Sequence, residues 1–378
     1  MAATNDAPAA PAGVTYYKRQ RFPDHHHPLL PGLPDHVAHL CLSRVPPSTL
    51  FNVCRSWRQL IYSPSFPSFL SLYTLLLPKN FPDRTQYLDS GCFFSYDPVS
   101  CDWQQLPIPP DLCLLHRHPS FLSRDLSVQS ISTAAGSLVL LAATAEHFLP
   151  ALPRPLVFNP ISRKWTFGPQ LAAPRRWCAA GESGGVIYVA SGMGSYYNSR
   201  IARSVEKWDR MNGDNWEMLG EMRNGNFCRE GTELVSWKGR LWMVNVKGSG
   251  PKEGVGYDAV NDDWVEMPAG MICGWKGPAA TMDGETLYVL DEEEGVLRKY
   301  DDGIWVDVWG EERLKRANQM AAGGGRVCVV CTGGEILVVD VAAAEIRTWV
   351  VETPPGYRAM SVHVLPRMTE PEPEIEFG

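Results

Sequence analysis

Short runs of β-prone residues recur along most of the chain, and a glycine turn precedes each of them. The runs are rich in Val, Leu, Ile and Tyr, a composition typical of strands in a β-protein. An Asp-Gly or Gly-Gly pair before such a run predicts a tight hairpin, because the turn residues need positive φ. The five turns begin at Gly136, Gly184, Lys238, Asp283 and Gly324.

A second pattern alternates with the first and ends in tryptophan. In each copy a short aromatic or apolar strand closes with Asp or Asn, a polar turn follows, and Trp comes after the turn. The six copies end at Trp103, Trp165, Trp216, Trp264, Trp305 and Trp349, which are 62, 51, 48, 41 and 44 residues apart. A repeat of roughly 40–50 residues predicts an array of small sheets. We expect the tryptophans to pack between neighbouring sheets as structural core.

Together the two patterns predict four-stranded antiparallel sheets. From about residue 85 to residue 366 they resemble the kelch repeat of β-propellers, although the second glycine pair of that repeat is mostly absent. The resemblance implies a mostly β fold, and we favour six blades over five or seven. A partial blade remains at each end, before Trp103 and at 360–365. We expect the two parts to pair and close the ring, which removes exposed sheet edges.

The segment before the repeats has helical periodicity instead. Asp35 is suited to cap a helix, and the prolines at 46–47 end it. A second helix is predicted after Pro47, with an apolar stripe that includes Leu50, Val53 and Trp57. About 40 residues cannot enclose a stable core alone. The stripe therefore needs a partner, which is either the propeller or another protein.

Residues 29–66 resemble an F-box. The matching positions are Leu33, Pro34, Asp35, Leu40, Leu42, Val45, Pro46, Leu50, Val53, Cys54, Ser56, Trp57, Arg58, Leu60, Ile61, Ser63, Pro64 and Phe66. An F-box followed by a kelch propeller is similar to the plant F-box/kelch-repeat family. The resemblance implies the substrate-recognition subunit of a Skp1–cullin–F-box E3 ubiquitin ligase. Its F-box would dock a Skp1-type adaptor, and through it cullin, while the propeller would bind the protein substrate. The implied adaptor-binding residues are Leu33, Pro34, Leu40, Leu50, Val53 and Trp57.

The predicted organisation has five parts: a disordered arm at 1–28, the F-box at 29–70, a linker at 71–84, the propeller at 85–368 and an acidic tail at 369–378. No apolar run approaches the roughly 20 residues of a membrane helix, so no membrane association is expected. The net charge of −7 argues against nucleic-acid binding. The ten cysteines lack framework spacing, which favours reduced thiols in the cytoplasm or nucleus.

Motifs of enzymes occur but are better explained by the fold. Residues 181–185 match G-x-S-x-G, yet a strand follows where the nucleophile turn needs a helix. Cys328 and Cys331 lie within one predicted strand, so they face opposite sides. A copper oxidase on a kelch propeller is a third hypothesis, and it would need more metal-ligand pairs than His116 and His118. We expect no cofactor, no metal and no catalytic site. A binding scaffold outside any ligase is the second hypothesis.

The loops that lead into the innermost strands carry a further pattern. Five of the six blades offer Arg or Lys at nearly one register, and three of these cations lie beside an aromatic residue. Such a basic, aromatic mouth would suit an acidic or phosphorylated segment, although long polar residues also commonly fill loops. The candidate substrate-binding residues are Arg176, Trp177, Tyr196, Tyr197, Arg229, Trp275, Lys276, Arg316, Asn318, Tyr357 and Arg358.

Overall fold

The structure is a computed structural model that describes residues 28–79, 92–109, 129–141, 153–175, 177–194, 196–213, 215–222, 227, 232–245 and 252–369. The chain divides into two compact units, residues 1–45 and residues 46–378. Within the described ranges, no helix has the length and apolar character needed to cross a membrane.

The helices are short, and those of the predicted F-box segment fall in both units. The first unit contains α1 (Asp35–Leu42), where Asp35 occupies the first turn rather than the cap. The second unit contains α2 (Pro47–Phe51), α3 (Arg55–Tyr62), α4 (Ser199–Arg203), α5 (Ala269–Gly274) and a 3₁₀ helix (Glu312–Leu314). The prediction of one continuous helix after Pro47 is wrong. Cys54 has extended backbone angles and separates α2 from α3.

The strands form six small antiparallel sheets. Blade 1 contains β1 (Leu70–Pro78), β2 (Cys92–Asp97) and β3 (Asp102–Gln105). Blade 2 contains β4 (Ser130–Ser132), β5 (Leu138–Leu140), β6 (Leu156–Asn159) and β7 (Lys164–Phe167). Blade 3 contains β8 (Ala179–Ser183), β9 (Val186–Ala190), β10 (Val205–Asp209) and β11 (Glu217–Met218).

Three more blades and the closing strands complete the second unit. Blade 4 contains β12 (Thr232–Trp237), β13 (Arg240–Asn245), β14 (Gly254–Asp258) and β15 (Asp263–Glu266). Blade 5 contains β16 (Ala279–Met282), β17 (Thr286–Asp291), β18 (Val296–Asp301) and β19 (Ile304–Gly310). Blade 6 contains β20 (Gln319–Gly323), β21 (Arg326–Val330), β22 (Ile336–Asp340) and β23 (Arg347–Val351). The last strands, β24 (Tyr357–Ala359) and β25 (His363–Pro366), join blade 1.

The fold is a closed six-bladed β-propeller, as predicted. The innermost strands contact each other in the order β25, β4, β8, β12, β16, β20 and again β25. The predicted closure is confirmed, because β25 pairs antiparallel with β1 and places Leu72 opposite Val364. Closure therefore joins the two ends of the propeller sequence within one sheet.

Two predicted boundaries are wrong. Residues 71–78 of the predicted linker belong to the propeller instead, because they lie in β1, which pairs with β2, β24 and β25. No glycine turn precedes β1, since its inner neighbours come from the far end of the chain. The propeller also includes Thr369, a buried residue whose amide donates to the Pro160 carbonyl at 3.4 Å. The proposed arm at 1–28 and acidic tail at 369–378 lie outside the described residues except for residues 28 and 369.

Five of the six repeated tryptophans join neighbouring blades, as predicted, but they are half-buried rather than part of the buried core. In five copies the indole Nε1 donates to a backbone carbonyl that follows the outer strand of the preceding blade. These bonds are Trp103 to Glu352 (2.9 Å), Trp165 to Pro107 (2.8 Å), Trp216 to Pro169 (3.1 Å), Trp264 to Gly220 (3.2 Å) and Trp305 to Gly270 (3.0 Å). The first of them crosses the ring closure. Trp349 instead contacts Arg326, whose guanidinium carbon lies over the indole, 5.5 Å from the Trp349 ring centroid.

The glycine turns have the expected backbone. Lys238 and Gly239 both have positive φ, at 49° and 73°, and Asp283 and Gly284 repeat this at 53° and 73°. The turn after Ser183 is likewise a hairpin, because Ser183 pairs with Val186 across it. The hairpin interpretation of the G-x-S-x-G match is therefore confirmed.

A buried histidine, His363, lies at the ring closure. This buried side chain on β25 has its Nε2 2.8 Å from Ser130 Oγ on β4. Burial lowers the pKa of His363 from 6.5 to about 4. The unfolded chain therefore binds a proton in this range that the folded chain does not. We expect the free energy of unfolding to fall by about 3 kcal/mol between pH ~6.5 and pH ~4, with no contribution from this group at higher pH.

Urea unfolding of the wild type and of His363→Gln across this range checks the expectation. The variant should lack the part of the pH slope that His363 supplies, while the carboxylates contribute equally to both proteins. Equal slopes in the two proteins would contradict it.

Candidate partner-binding surfaces

The six innermost strands surround a central channel with a volume of about 610 Å³. Each of these strands starts on one face, here called the loop face, where the chain arrives from the preceding blade. Each ends on the opposite face, here called the turn face. A glycine hairpin follows five of the six strands there, whereas β25 leads directly into Arg367. The acidic side chains that line the channel within the described residues are Glu182 and Asp283, both near the turn face. Among the described residues, neither Arg nor Lys lines the channel.

The candidate substrate-binding residues lie on the loop face wherever the structure describes them. They precede the innermost strands, belong to β24, or occupy the connection between β9 and β10. The described candidates, which share one position relative to the strands in the sequence, therefore share the loop face in the structure. Of the described candidates, Asn318 lines the channel. Arg176 and Arg229 lie outside the described residues.

Two of the candidates have structural roles instead. Trp275 is fully buried at the end of α5, in a cluster with Met271 and Val244, so it cannot contact a substrate. Lys276 has its Nζ 3.2 Å from Asp291 Oδ2, and Asp291 is fully buried. Burial raises the pKa of Asp291, but hydrogen bonds from backbone amides and Lys276 outweigh it, so the pKa lies below its usual value. The charge of Lys276 is therefore largely neutralised by an ion pair within the protein.

The loop of blade 3 is organised by a buried ion pair that the sequence did not reveal. Arg175 pairs with Glu206, and both side chains are fully buried. The same guanidinium donates to the Ser191 carbonyl at 3.1 Å and to Ser204 Oγ at 2.7 Å. Adjacent Arg residues gave the only sequence signal, and it did not distinguish the buried one. The pair holds together the two ends of the connection between β9 and β10.

This connection presents aromatic side chains to solvent. Tyr196 is 73% exposed and Tyr197 is 47% exposed. Asn198 caps the short helix α4 that follows, since its side chain accepts a hydrogen bond from the Arg200 amide at 2.9 Å. The cap therefore holds the backbone that directly follows the two tyrosines. Trp177, on the neighbouring loop, is half-buried and has a φ of 55°.

The remaining cations lie at blades 6 and 1. Arg316 is exposed and has a φ of 57°. Arg358 is half-buried on β24, beside half-buried Tyr357, whose ring lies 5.8 Å from that of Phe94. Neither arginine forms an ion pair within the described part of the chain. Arg316 and Arg358 are thus the described candidates whose charge is available to a partner.

The predicted adaptor-binding residues differ in exposure. In the first unit, Leu33 is 38% and Leu40 is 64% exposed, and Pro34 is also exposed. In the second unit, Val53 is 55% exposed and Trp57 is half-buried. Leu50 is fully buried, so its assignment as an adaptor contact is wrong, because this face of α2 packs inside the protein. Exposed large apolar side chains concentrated in one segment are typical of an interaction site.

The described residues contain no group of three or more His, Cys, Asp or Glu side chains that could hold a metal ion. His116 and His118, the pair that a copper site would use, lie outside the described ranges. Cys328 and Cys331 are both buried free thiols.

Comparisons with known proteins complete the description. No protein-family model matches the chain. The F-box/kelch-repeat protein SKIP25 of Arabidopsis thaliana is 48% identical over 360 residues, 91% of this chain and 91% of that protein. The Arabidopsis thaliana F-box/kelch-repeat protein At1g30090 is 26% identical, covering 87% of this chain and 84% of that protein. The F-box protein AFR of the same plant is 24% identical over 70% of this chain and 69% of that protein.

Proposed function

The chain belongs to the F-box/kelch-repeat family, and we propose that it is the substrate-recognition subunit of a Skp1–cullin–F-box ubiquitin ligase. In this proposal the F-box binds a Skp1-type adaptor, the adaptor binds cullin, and the propeller binds the target protein. The chain itself supplies no catalytic group. We also propose that the protein acts in the cytoplasm or nucleus, a proposal that the free thiols of the described residues support.

The observation that carries the proposal is the exposure of apolar side chains in the F-box segment. Leu33, Pro34 and Leu40 of the first unit face solvent, although their burial would be favourable. We propose that an adaptor covers them. Val53 and Trp57 of the second unit are further adaptor contacts by the family resemblance. A scaffold outside any ligase has no such use for these exposed side chains.

The double variant Leu33→Ala/Pro34→Ala is expected to weaken adaptor binding by roughly 100-fold or more, because apolar anchors at an interface centre each contribute about 2 kcal/mol. Isothermal titration with a purified Skp1-type adaptor measures the effect. Val260→Ala is the matched control, since Val260 is 88% exposed on the propeller and should not affect binding. Equal affinity of the double variant and the wild type would contradict the assignment. A wild type that binds no adaptor would favour the scaffold.

We propose further that the substrate binds the loop face through an acidic or phosphorylated segment. Arg316 and Arg358 supply charge that no described residue neutralises, and Tyr196 and Tyr197 supply exposed aromatic surface. Arg favours carboxylate and phosphate because its planar group donates two parallel hydrogen bonds. A local field can attract such a segment despite the net charge of −7.

Affinity purification with mass spectrometry tests this surface. The bait carries Leu33→Ala/Pro34→Ala, so that a bound substrate is retained rather than degraded. Adding Arg316→Glu/Arg358→Glu should reduce recovery of the substrate roughly tenfold or more, and salt should weaken binding. Lys164→Glu/Lys299→Glu is the control, because both lysines lie on strands away from the loop face. A substrate recovered equally with both reversals would overturn the basic surface.

A further inference from the structure

One buried arginine joins α3 to the closing blade. Arg367 directly follows β25 and is 3% exposed. Its guanidinium donates to the carbonyls of Tyr62 (3.3 Å), Ser63 (2.7 Å) and Phe66 (3.4 Å). The first two carbonyls lie at the end of α3, where backbone acceptors lack helical partners and the helix dipole is negative. Arg367 therefore caps α3 from a different part of the chain.

Aromatic rings and a carboxylate complete the environment of this cation. The guanidinium lies 5.9 Å from the ring centroid of Tyr62 and 5.4 Å from that of Phe69. The Tyr62 hydroxyl donates to Asp97 Oδ2, at the turn-face end of β2. A buried cation is costly unless its donors find acceptors. Here Tyr62, the last residue of α3, is held from both β25 and β2.

The segment that carries Arg367 is itself fixed. The Arg367 amide donates to the Phe69 carbonyl at 2.8 Å, and the buried Tyr73 hydroxyl donates to the Pro366 carbonyl at 2.7 Å. Thr369, two residues later, is held by the turn between β6 and β7. The position of the guanidinium is thus set by blades 1 and 2, and α3 is attached to it.

We propose that Arg367 is a positioning residue that fixes the orientation of F-box helix α3 relative to the loop face of the propeller. Because α3 contacts the turn-face end of blade 1, the helix and the substrate surface lie on opposite sides of the propeller. The consequence rests on the proposed function. A ligase subunit that holds α3 and the loop face at a fixed separation presents its substrate in a restricted geometry. Restricting geometry in this way favours transfer, because less freedom remains to be lost in the reaction.

Native-state hydrogen exchange of Arg367→Met tests the attachment. Losing several hydrogen bonds to a charged group should make amides of 58–66 exchange roughly tenfold to hundredfold faster, while β1 and β2 stay within about twofold of the wild type. Arg163→Met is the matched control, because Arg163 donates to the Thr369 carbonyl at 3.4 Å on the same segment but has no described contact with α3. Unchanged protection of 58–66, or equal effects of the two variants, would overturn the proposal.

Distance measurement separates positioning from simple stabilisation. Spin labels on non-natural amino acids at Gln59 of α3 and Glu312 of the loop face should give one narrow distance distribution in the wild type. The distribution should become broad in Arg367→Met and remain narrow in Arg163→Met. A narrow distribution in Arg367→Met would overturn the proposal. If Arg367→Met does not fold, Arg367→Lys takes its place in the hydrogen-exchange and distance measurements. One ammonium group cannot reach all three carbonyls, so the same changes are expected. Failure of wild-type adaptor binding would instead count against the proposed function alone.

Discussion

A chain that ends at Glu352 is expected to lose its folded propeller, not merely one blade of it. The truncation removes β24 and β25, the innermost strands of blade 1, and exposes β1 along its length. It also removes five buried apolar side chains: Ala359, Met360, Val362, Leu365 and Met368. All of these except Met360 belong to the hydrophobic clusters of blades 1, 2 and 6. At about 2 kcal/mol for each of the four larger side chains, the loss is about 8 kcal/mol. A domain is typically stable by only about 5–15 kcal/mol.

Differential scanning calorimetry and far-ultraviolet circular dichroism measure the outcome. The truncated chain should show no cooperative transition at the temperature where the full chain unfolds. A chain that ends at Thr369 is the control, because it keeps every described contact of the closing strands and should unfold as the full chain does. A chain ending at Glu352 that keeps the melting temperature of the full chain would show that the ring does not depend on this closure.

Glu206→Gln is expected to lower the free energy of unfolding by about 3–5 kcal/mol. The substitution conserves shape but leaves the Arg175 cation buried without its counter-charge. It also weakens the acceptor for two backbone amides, those of Ala172 (2.8 Å) and Ala173 (3.3 Å). The loss should be large because both charged groups are shielded from water, so solvent cannot replace the missing partner.

Urea unfolding compares this variant with Glu221→Gln. Glu221 pairs with Arg203 at 2.9 Å, but the two side chains are 47% and 42% exposed. Breaking this surface pair should cost less than about 1 kcal/mol. The double variant Arg175→Met/Glu206→Leu should recover much of the lost stability, because it removes the unpaired charge as well as the pair. Similar costs for Glu206→Gln and Glu221→Gln would show that the buried pair contributes little.

The sequence predicted the blades well because their signals are local. A positive φ is required at the two residues of a hairpin turn, so Asp283 and Gly284 mark the turn wherever the blade lies. The pattern that ends in tryptophan is also local. Tyr257 and Trp264 pair across one turn, with ring centroids 5.1 Å apart. Six copies of such signals specify six sheets. The family resemblance of the F-box segment rests likewise on neighbouring residues.

Burial within the site could not be predicted, because it depends on elements that are distant in sequence. Trp275 and Lys276 carried the same sequence signal as Arg316 and Arg358, a cation or an aromatic before an innermost strand. The structure buries Trp275 under α5 and pairs Lys276 with Asp291, whereas Arg316 remains exposed. The identity of a loop residue indicates which bonds it can make, not whether an internal partner already makes them.

The sequence by itself determined the repeat and the number of blades, because hairpin turns are specified by a few neighbouring residues. It also indicated the closure of the ring, because one partial blade remained at each end. Only the tertiary structure decided that β1 belongs to the propeller, that Leu50 is internal and that Arg367 caps α3. Arg367 is about 300 residues from Ser63, and no pattern marks it. Its role arises only when the ring has closed, because closure brings the end of the chain beside the helix that precedes the first strand.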